Sequence, residues 1–185
     1  MEVKGSVLQT LPKFIRKRFG QMGQDQWLGA LSDQARQAYD EGIIPSGWYP
    51  LTPLMAEPTM LMCDLFFEGD LKGAWECGKF SADDALRGLY RAFVVFGSPH
   101  FIIKKGATVM PTFYRPASIE VVDVQAKSAT LHIVEFPEPH PAVEARIGGW
   151  MEQGLVVCGC KNVAVKSGRL MSRGDAISEF FVSWA

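Results

Sequence analysis

Three histidines are the first candidates for catalytic or metal-binding side chains: His100, His132 and His140. His132 alternates within a predicted strand, His140 lies among prolines, and His100 follows Ser98 and Pro99 at a predicted helix start. A metal site or a Ser-His-Asp site needs several groups that converge, and the sequence offers no obvious set. The sequence also lacks a Walker motif, a strand-linked G-x-G-x-x-G and a G-x-S-x-G elbow. We therefore predict no catalytic residue, no metal site and no cofactor.

The four cysteines indicate a reducing compartment rather than a disulfide framework. Cys63 and Cys77 fall in apolar, helix-like stretches, which predicts buried and inert thiols. Cys158 and Cys160 are too close in sequence for an ordinary disulfide. Because no basic segment with an apolar h-region starts the chain and no apolar run is long enough for a bilayer, we expect a cytoplasmic protein without a membrane span.

Aromatic side chains are plentiful, and they form either the core of the protein or the wall of an apolar cavity. The sequence leaves both alternatives open for each of them. If an apolar cavity is present, the candidates for its wall are Trp48, Tyr49, Trp75, Tyr90, Phe93 and Trp150.

Helical periodicity dominates residues 1–110, the half that carries most of these aromatics. Helices are expected from Ser6 to about Gly20, from 25 to 31, from 32 to about 42, from 51 to 67 and from 71 to 96. Residues 43–50, which include Trp48 and Tyr49, are expected to be a loop.

Residues 111–185 have a strand, strand, helix, strand, strand pattern. Strands are expected at 118–124, 129–136, 162–167 and 176–184, with an amphipathic helix at 141–157. This order predicts an α+β fold in one domain, residues 1–185, with the helix packed on one face of an antiparallel sheet. Gly148, Gly149 and Gly154 in that helix favour either close helix-on-sheet packing or a pocket wall or dimer contact.

The composition is that of an ordinary globular protein. The 185 residues are 48% hydrophobic and 21% charged, and the formal net charge is −1. A chain of this length buries enough surface to fold without disulfides. The absence of a basic excess argues against binding to nucleic-acid phosphates.

Several short motifs resemble the 4-vinyl-reductase-type domain of the TRAPP-like ligand-binding superfamily, and most closely its bacterial, myxobacterial-type members. They are the glycine-containing helix at 148–155, the segments 158–163 and 173–180, the closing segment 182–184, the Trp48-Tyr49-Pro50 loop and the Gly97-Ser98-Pro99 turn. The resemblance covers about residues 3–184.

This resemblance implies a usually dimeric α/β fold with an antiparallel sheet that senses small hydrophobic molecules or binds proteins. In several of those sensors, cysteines at the positions of Leu170 and Ser178 help to bind zinc, and their replacement here implies that the metal site is lost. We expect a non-catalytic sensing or protein-interaction module with an apolar pocket, forming a homodimer. The alternatives are an enzyme acting on a tetrapyrrole or another hydrophobic substrate, and a scaffold without a ligand.

Overall fold

A computed structural model describes residues 1–87 and 98–185 of the chain. In this part the predicted α+β class is confirmed, with helices first and antiparallel strands later. The helices are α1 (Gly5–Leu8), α2 (Thr10–Ala30), α3 (Asp33–Glu41), α4 (Glu57–Phe66), α5 (Lys72–Arg87), α6 (Pro99–Val109) and α7 (Pro141–Val157). The strands are β1 (Glu2–Lys4), β2 (Trp48–Pro50), β3 (Tyr114–Arg115), β4 (Ser118–Gln125), β5 (Ser128–Glu135), β6 (Ala164–Ser167) and β7 (Ser178–Ser183).

Local sequence signals set several helix boundaries. The Ser32 hydroxyl accepts a hydrogen bond from the Ala35 amide and caps α3, as its position before Asp33 predicts. The Ser98 hydroxyl caps α6 in the same way. Gly20, predicted to end a helix, instead forms a kink inside α2, where its φ of 73° is unfavourable for residues with a Cβ. These signals locate the starts of α3 and α6 and the break at Gly20, although α2 continues beyond it. The first helix begins at Gly5 rather than Ser6, and the break after Leu8 was not predicted.

A small three-stranded sheet of order β2-β1-β3 was not predicted from the sequence. The expected loop at 43–50 ends in β2, because Val3 of β1 pairs with Tyr49 on one side and with Tyr114 on the other. Each strand has only two or three residues and its partners are distant in sequence, so no local periodicity indicates it. This sheet fixes the start of the chain beside β3.

The second sheet has four antiparallel strands in the order β4-β5-β7-β6. Ala129 pairs with Val182, and Leu131 pairs with Phe180. These four side chains are almost fully buried, as the alternation of polar and apolar residues predicts for one covered face. That face lies under α7 and α6 and forms one wall of the interior.

Three glycines allow α5 and α7 to cross with their backbones in contact. A Cβ at Gly78 would lie 2.9 Å from the Cα of Arg146, and one at Gly149 would lie 2.9 Å from the carbonyl carbon of Trp75. A Cβ at Gly148 would lie 2.7 Å from Cη2 of the Trp75 ring and closer still to Cζ3. The expectation of helix-on-sheet packing therefore has to be changed for Gly148 and Gly149, since they pack on a helix. The close crossing determines which side chains of α7 face the interior.

Within the described residues, none of the helices combines the length and the apolar character needed to cross a bilayer.

Candidate functional site

A cavity of about 420 Å³ lies between the N-terminal helices, α5, α6, α7 and the four-stranded sheet. Its volume falls in the range of about 300–1,000 Å³ that is typical of small-molecule sites. Most of the described side chains around it are aliphatic, aromatic or thioether groups. These apolar residues are Val7, Ala85, Ile102, Ile103, Val109, Met110, Phe113, Ile119, Leu131, Ile147, Trp150, Met151, Leu155 and Val182.

Arg146 is the one cationic side chain among the described residues of the cavity wall. It lies on α7 and is only 3% exposed. Its Nη2 donates to Thr10 Oγ1 at 2.9 Å and to the Val7 carbonyl at 3.4 Å, and its Nη1 donates to Thr59 Oγ1 at 3.2 Å. Ser81 Oγ lies 3.5 Å from Nη2. These hydrogen bonds connect α7 to the N-terminal helices, to α4 and to α5, but every acceptor is neutral.

Tyr114 of β3 lines the same cavity and is 9% exposed. Burial raises the pKa of Tyr114 to about 12, and the nearby Arg146 guanidinium opposes part of that rise. The phenol is therefore a neutral hydrogen-bond donor at neutral pH. Among the described residues its hydroxyl has no hydrogen-bond partner, so it remains available for a ligand.

The acidic residue of the wall, Asp84, lies at its solvent-exposed margin. Its carboxylate is 3.2 Å from Lys13 Nζ, and both side chains are about half exposed. Asp84 is therefore paired at the surface rather than with Arg146.

Of the six aromatics predicted for a cavity wall, Trp150 lines this cavity. Trp75 lies at the α5–α7 crossing instead, where its indole Nε1 donates to Glu152 Oε2 at 2.6 Å. Lys79 pairs with the other oxygen of the Glu152 carboxylate at 2.6 Å. Trp75 thus takes part in helix packing and lies beside an ion pair, and it also lines a second cavity of about 390 Å³ with Glu144 and Arg173.

Trp48 and Tyr49 lie in the small sheet, away from this cavity. The ring of Trp48 has Lys4 Nζ 4.5 Å from its centroid and the Arg115 guanidinium 4.1 Å from it. The Tyr49 hydroxyl accepts a hydrogen bond from the Ile44 amide at 2.9 Å. The other two candidates, Tyr90 and Phe93, lie outside the described residues.

None of the three histidines lines the cavity. His100 Nε2 lies 2.8 Å from the Gln125 carbonyl oxygen, at the β4–β5 hairpin. His132 Nε2 lies 2.8 Å from Glu179 on the sheet, and His140 Nδ1 accepts from the Ala142 amide at the start of α7. Each imidazole therefore has a local structural partner.

The four cysteines are free and have raised pKa values. Burial raises the pKa of Cys63 and of Cys158 to about 11 and also raises the pKa of Cys77 and Cys160. Reactive thiolates are therefore disfavoured at neutral pH. In residues 1–87 and 98–185, no three His, Cys, Asp or Glu side chains are grouped closely enough to hold a metal ion.

The two positions compared with zinc-binding cysteines have structural roles. Leu170 is buried in the core, and the Ser178 hydroxyl donates to the buried carboxylate of Glu144. Ser172 donates to the same carboxylate through its hydroxyl and its amide. In the described part of the chain, the Glu144 carboxylate thus accepts all its hydrogen bonds from neutral donors, and it lies on the side of α7 away from the cavity that Arg146 lines.

Sequence reasoning missed Arg146 and Tyr114 as site residues. Arg146 lies three residues after Val143 and directly before Ile147, on the apolar face that the helical period defines. A charged residue at such a position is the signal that could have been used. Tyr114 had no such signal, because its place depends on the pairing of β3 with β1.

The fold is that of solved H-NOX (heme nitric oxide/oxygen binding) proteins. One from S. oneidensis, in an Fe(II)NO state, superposes with a TM-score of 0.77 at 10% identity, covering 98% of this chain and 99% of that one. An unliganded Fe(II) H-NOX protein from K. algicida superposes with a TM-score of 0.72 at 10% identity, covering 98% of this chain and 96% of that one. An H-NOX protein studied for heme distortion superposes with a TM-score of 0.69 at 14% identity, covering 98% of this chain and 93% of that one. A scan against family models and a search of curated proteins found no match.

The predicted resemblance to the 4-vinyl-reductase-type and TRAPP-like domains is therefore wrong. The motifs behind it have local structural roles here: Ser98 caps α6, which begins at Pro99, and Gly148-Gly149 forms the helix crossing. Such features recur wherever helices cap and cross, so they do not distinguish one α+β superfamily from another. Across nearly its whole length, the chain has the H-NOX fold.

Proposed function

We propose that this domain is a non-catalytic sensing module that binds a small, largely apolar molecule in the cavity between α5, α6, α7 and the four-stranded sheet. The observation that carries the proposal is the cavity itself, with its volume of about 420 Å³ and its mostly apolar wall. The likeness to H-NOX proteins, which include an Fe(II)NO complex, supports a sensing role at the level of fold.

A heme-based gas sensor is the second candidate, because heme is named for H-NOX relatives. Heme iron is held in proteins chiefly by histidine, by a cysteine thiolate or by tyrosine, with methionine usually beside a histidine. All three histidines and all four cysteines of the chain are described, and none lines the cavity. Tyr114 would have to lose its proton to bind iron as a phenolate, and burial raises its pKa to about 12 in the metal-free protein. The described wall therefore offers no histidine or thiolate to hold a heme, and a phenolate only from Tyr114.

The apolar cavity can be tested with Nile red, a neutral dye that fluoresces in apolar surroundings. We expect saturable binding by the wild type and about tenfold weaker binding by Gly106→Phe. Gly106 lies on α6 in the cavity wall, and a Cβ there would meet no atom within 4 Å, so the phenyl ring can occupy the cavity.

The matched control is Gly29→Phe. Gly29 also lies in a helix, and a Cβ there would meet no atom within 4 Å, but it is exposed and does not line the cavity. Both substitutions change helix propensity equally, so only Gly106→Phe should weaken binding. Equal dye binding by the two variants, or none by the wild type, would contradict the proposal.

Hemin reconstitution separates the two candidates. We expect no absorption spectrum of a protein-ligated heme after hemin is added and the excess removed, whereas a sharp, stoichiometric Soret band would favour the gas sensor. Native mass spectrometry of the purified protein adds an independent comparison, since extra non-protein mass would indicate a retained ligand and bare mass a scaffold. Turnover of such a ligand would favour the enzyme, whose only support was the overturned resemblance.

Two further expectations remain predictions. The homodimer was implied by the resemblance that proved wrong, and elution of the domain at 20.5 kDa in size-exclusion chromatography would contradict it. A cytoplasmic location is tested by fractionating cells that express the protein.

A further inference from the structure

The charge of Arg146 has no counter-charge in the described part of the protein. Its side chain is 3% exposed, and its hydrogen bonds go to two threonine hydroxyls, one serine hydroxyl and the carbonyl of Val7. No carboxylate of residues 1–87 or 98–185 lies within 4 Å of the guanidinium. An arginine stays protonated in proteins, so this is a buried and uncompensated positive charge.

Buried charges in proteins are normally paired, because neutral hydrogen bonds replace only part of the lost hydration. The nearest buried carboxylate on the same helix, Glu144, is held by Ser172 and Ser178 on another side of α7. The acidic residue at the cavity margin, Asp84, pairs with Lys13. Neither acid therefore neutralises Arg146.

The guanidinium lies where a ligand can supply the missing charge. Arg146 lines the cavity, and its Nε–H has no acceptor among the described residues. Tyr114 lines the same cavity with a free hydroxyl. A guanidinium and a phenol are both donors, and a carboxylate is an acceptor group that can take hydrogen bonds from both.

The rest of the wall limits what else the ligand can carry. Apart from Arg146, Asp84 and a few hydroxyls, the described wall is apolar, so a second charged group would be buried without a partner. We propose that the cavity binds an apolar molecule with a single carboxylate, held by Arg146 and Tyr114, while its apolar part lies between α6, α7 and the sheet. This inference rests on the proposed function and names the ligand class.

The test compares acids with the alcohols of equal chain length. Octanoate, decanoate, dodecanoate and 4-phenylbutanoate are each measured against the matching alcohol by displacement of Nile red at pH 7.5. We expect the best acid to bind about 10- to 100-fold more tightly than its alcohol, the range for hydrogen bonds to a charged group. The ratio is informative because both members of a pair fill the same apolar space.

Two variants test whether Arg146 and Tyr114 cause the tighter binding of acids. Arg146→Met keeps the length of the side chain without the charge and should reduce the acid-to-alcohol ratio to about one. Tyr114→Phe removes one hydroxyl that has no partner among the described residues, so it should fold normally and reduce the ratio about three- to tenfold. If Arg146→Met does not fold, Tyr114→Phe and the wild-type ratio still decide the matter.

The outcomes separate this inference from the function on which it rests. Equal binding of acids and alcohols, or dye binding without displacement by any acid, would overturn the carboxylate class and leave the apolar cavity standing. A preference for acids that persists in both variants would overturn the assignment to Arg146 and Tyr114. If neither Nile red nor any acid or alcohol binds, the proposed function fails as well.

Discussion

Gly149 lies at the crossing of α5 and α7, and replacing it with alanine should destabilise the protein. The added Cβ would lie 2.9 Å from the carbonyl carbon of Trp75 and closer still to the carbonyl oxygen. Cβ atoms essentially never approach other atoms so closely, and the obstructing atoms are backbone, so the helices must move apart.

The expected free-energy change combines two opposing effects. Overpacking a tightly packed contact costs about 1–3 kcal/mol, and we take about 3 kcal/mol because a backbone cannot rotate away. Alanine gains about 1 kcal/mol of helix propensity over glycine. The net loss in the free energy of unfolding is therefore about 2 kcal/mol.

Urea denaturation followed by circular dichroism measures this change. With a slope of about 2 kcal/mol per molar urea, the midpoint of Gly149→Ala should fall by about 1 M. Gly29→Ala is the matched control, because no atom lies within 4 Å of its Cβ position, and its midpoint should rise by about 0.5 M. If Gly149→Ala is as stable as Gly29→Ala, the close crossing and the reasoning from it are wrong.

Three further substitutions have defined expectations. Trp150→Ala should lower the free energy of unfolding by about 1–3 kcal/mol in urea, less than the roughly 3–5 kcal/mol for a fully buried tryptophan, because Trp150 is only partly buried. Tyr114 ionises near pH 10 in the unfolded chain but only near pH 12 in the folded protein, so the free energy of unfolding should fall as pH rises between these values. Tyr114→Phe should make that fall smaller. An unchanged dependence of the free energy of unfolding on pH would contradict the burial of Tyr114. Hydrogen bonds from Arg169 and His132 hold the pKa of the Glu179 carboxyl below its usual value. The stabilisation that these hydrogen bonds give the folded protein is therefore lost as pH falls through that lowered pKa. Arg169→Met should raise the pKa of Glu179 in a carbon-13 NMR titration, and an unchanged Glu179 pKa would refute this pairing.

The parts of the fold that the sequence predicts are those with local causes. Helix α7 is predicted at its observed bounds, because an apolar face repeating over 17 residues is a strong signal. The four-stranded sheet is predicted from alternating residues in each strand. The small sheet is missed, since the pairing of Val3 with Tyr49 and Tyr114 depends on contacts between distant segments.

The candidate site is predicted less well than the fold, for a physical reason. Aromatic residues fill cores and line cavities with the same chemistry, so composition cannot separate Trp150, in the cavity wall, from Trp75, at a helix crossing. The sequence analysis misses Arg146 because a helical repeat is recognised from its apolar residues alone. A charge on an apolar face is the more informative observation, since its burial requires a compensating partner.

The hydrogen bond from Arg146 to the Val7 carbonyl also has a consequence for synthesis in the cell. It joins residues 139 positions apart, so the first helix cannot make this contact until α7 has been translated. At about 5–20 residues per second, that delay is about 7 to 28 seconds. During this time the face of α5 that packs on α7 in the folded protein lacks this partner, so the nascent chain carries an uncovered helix face until α7 emerges.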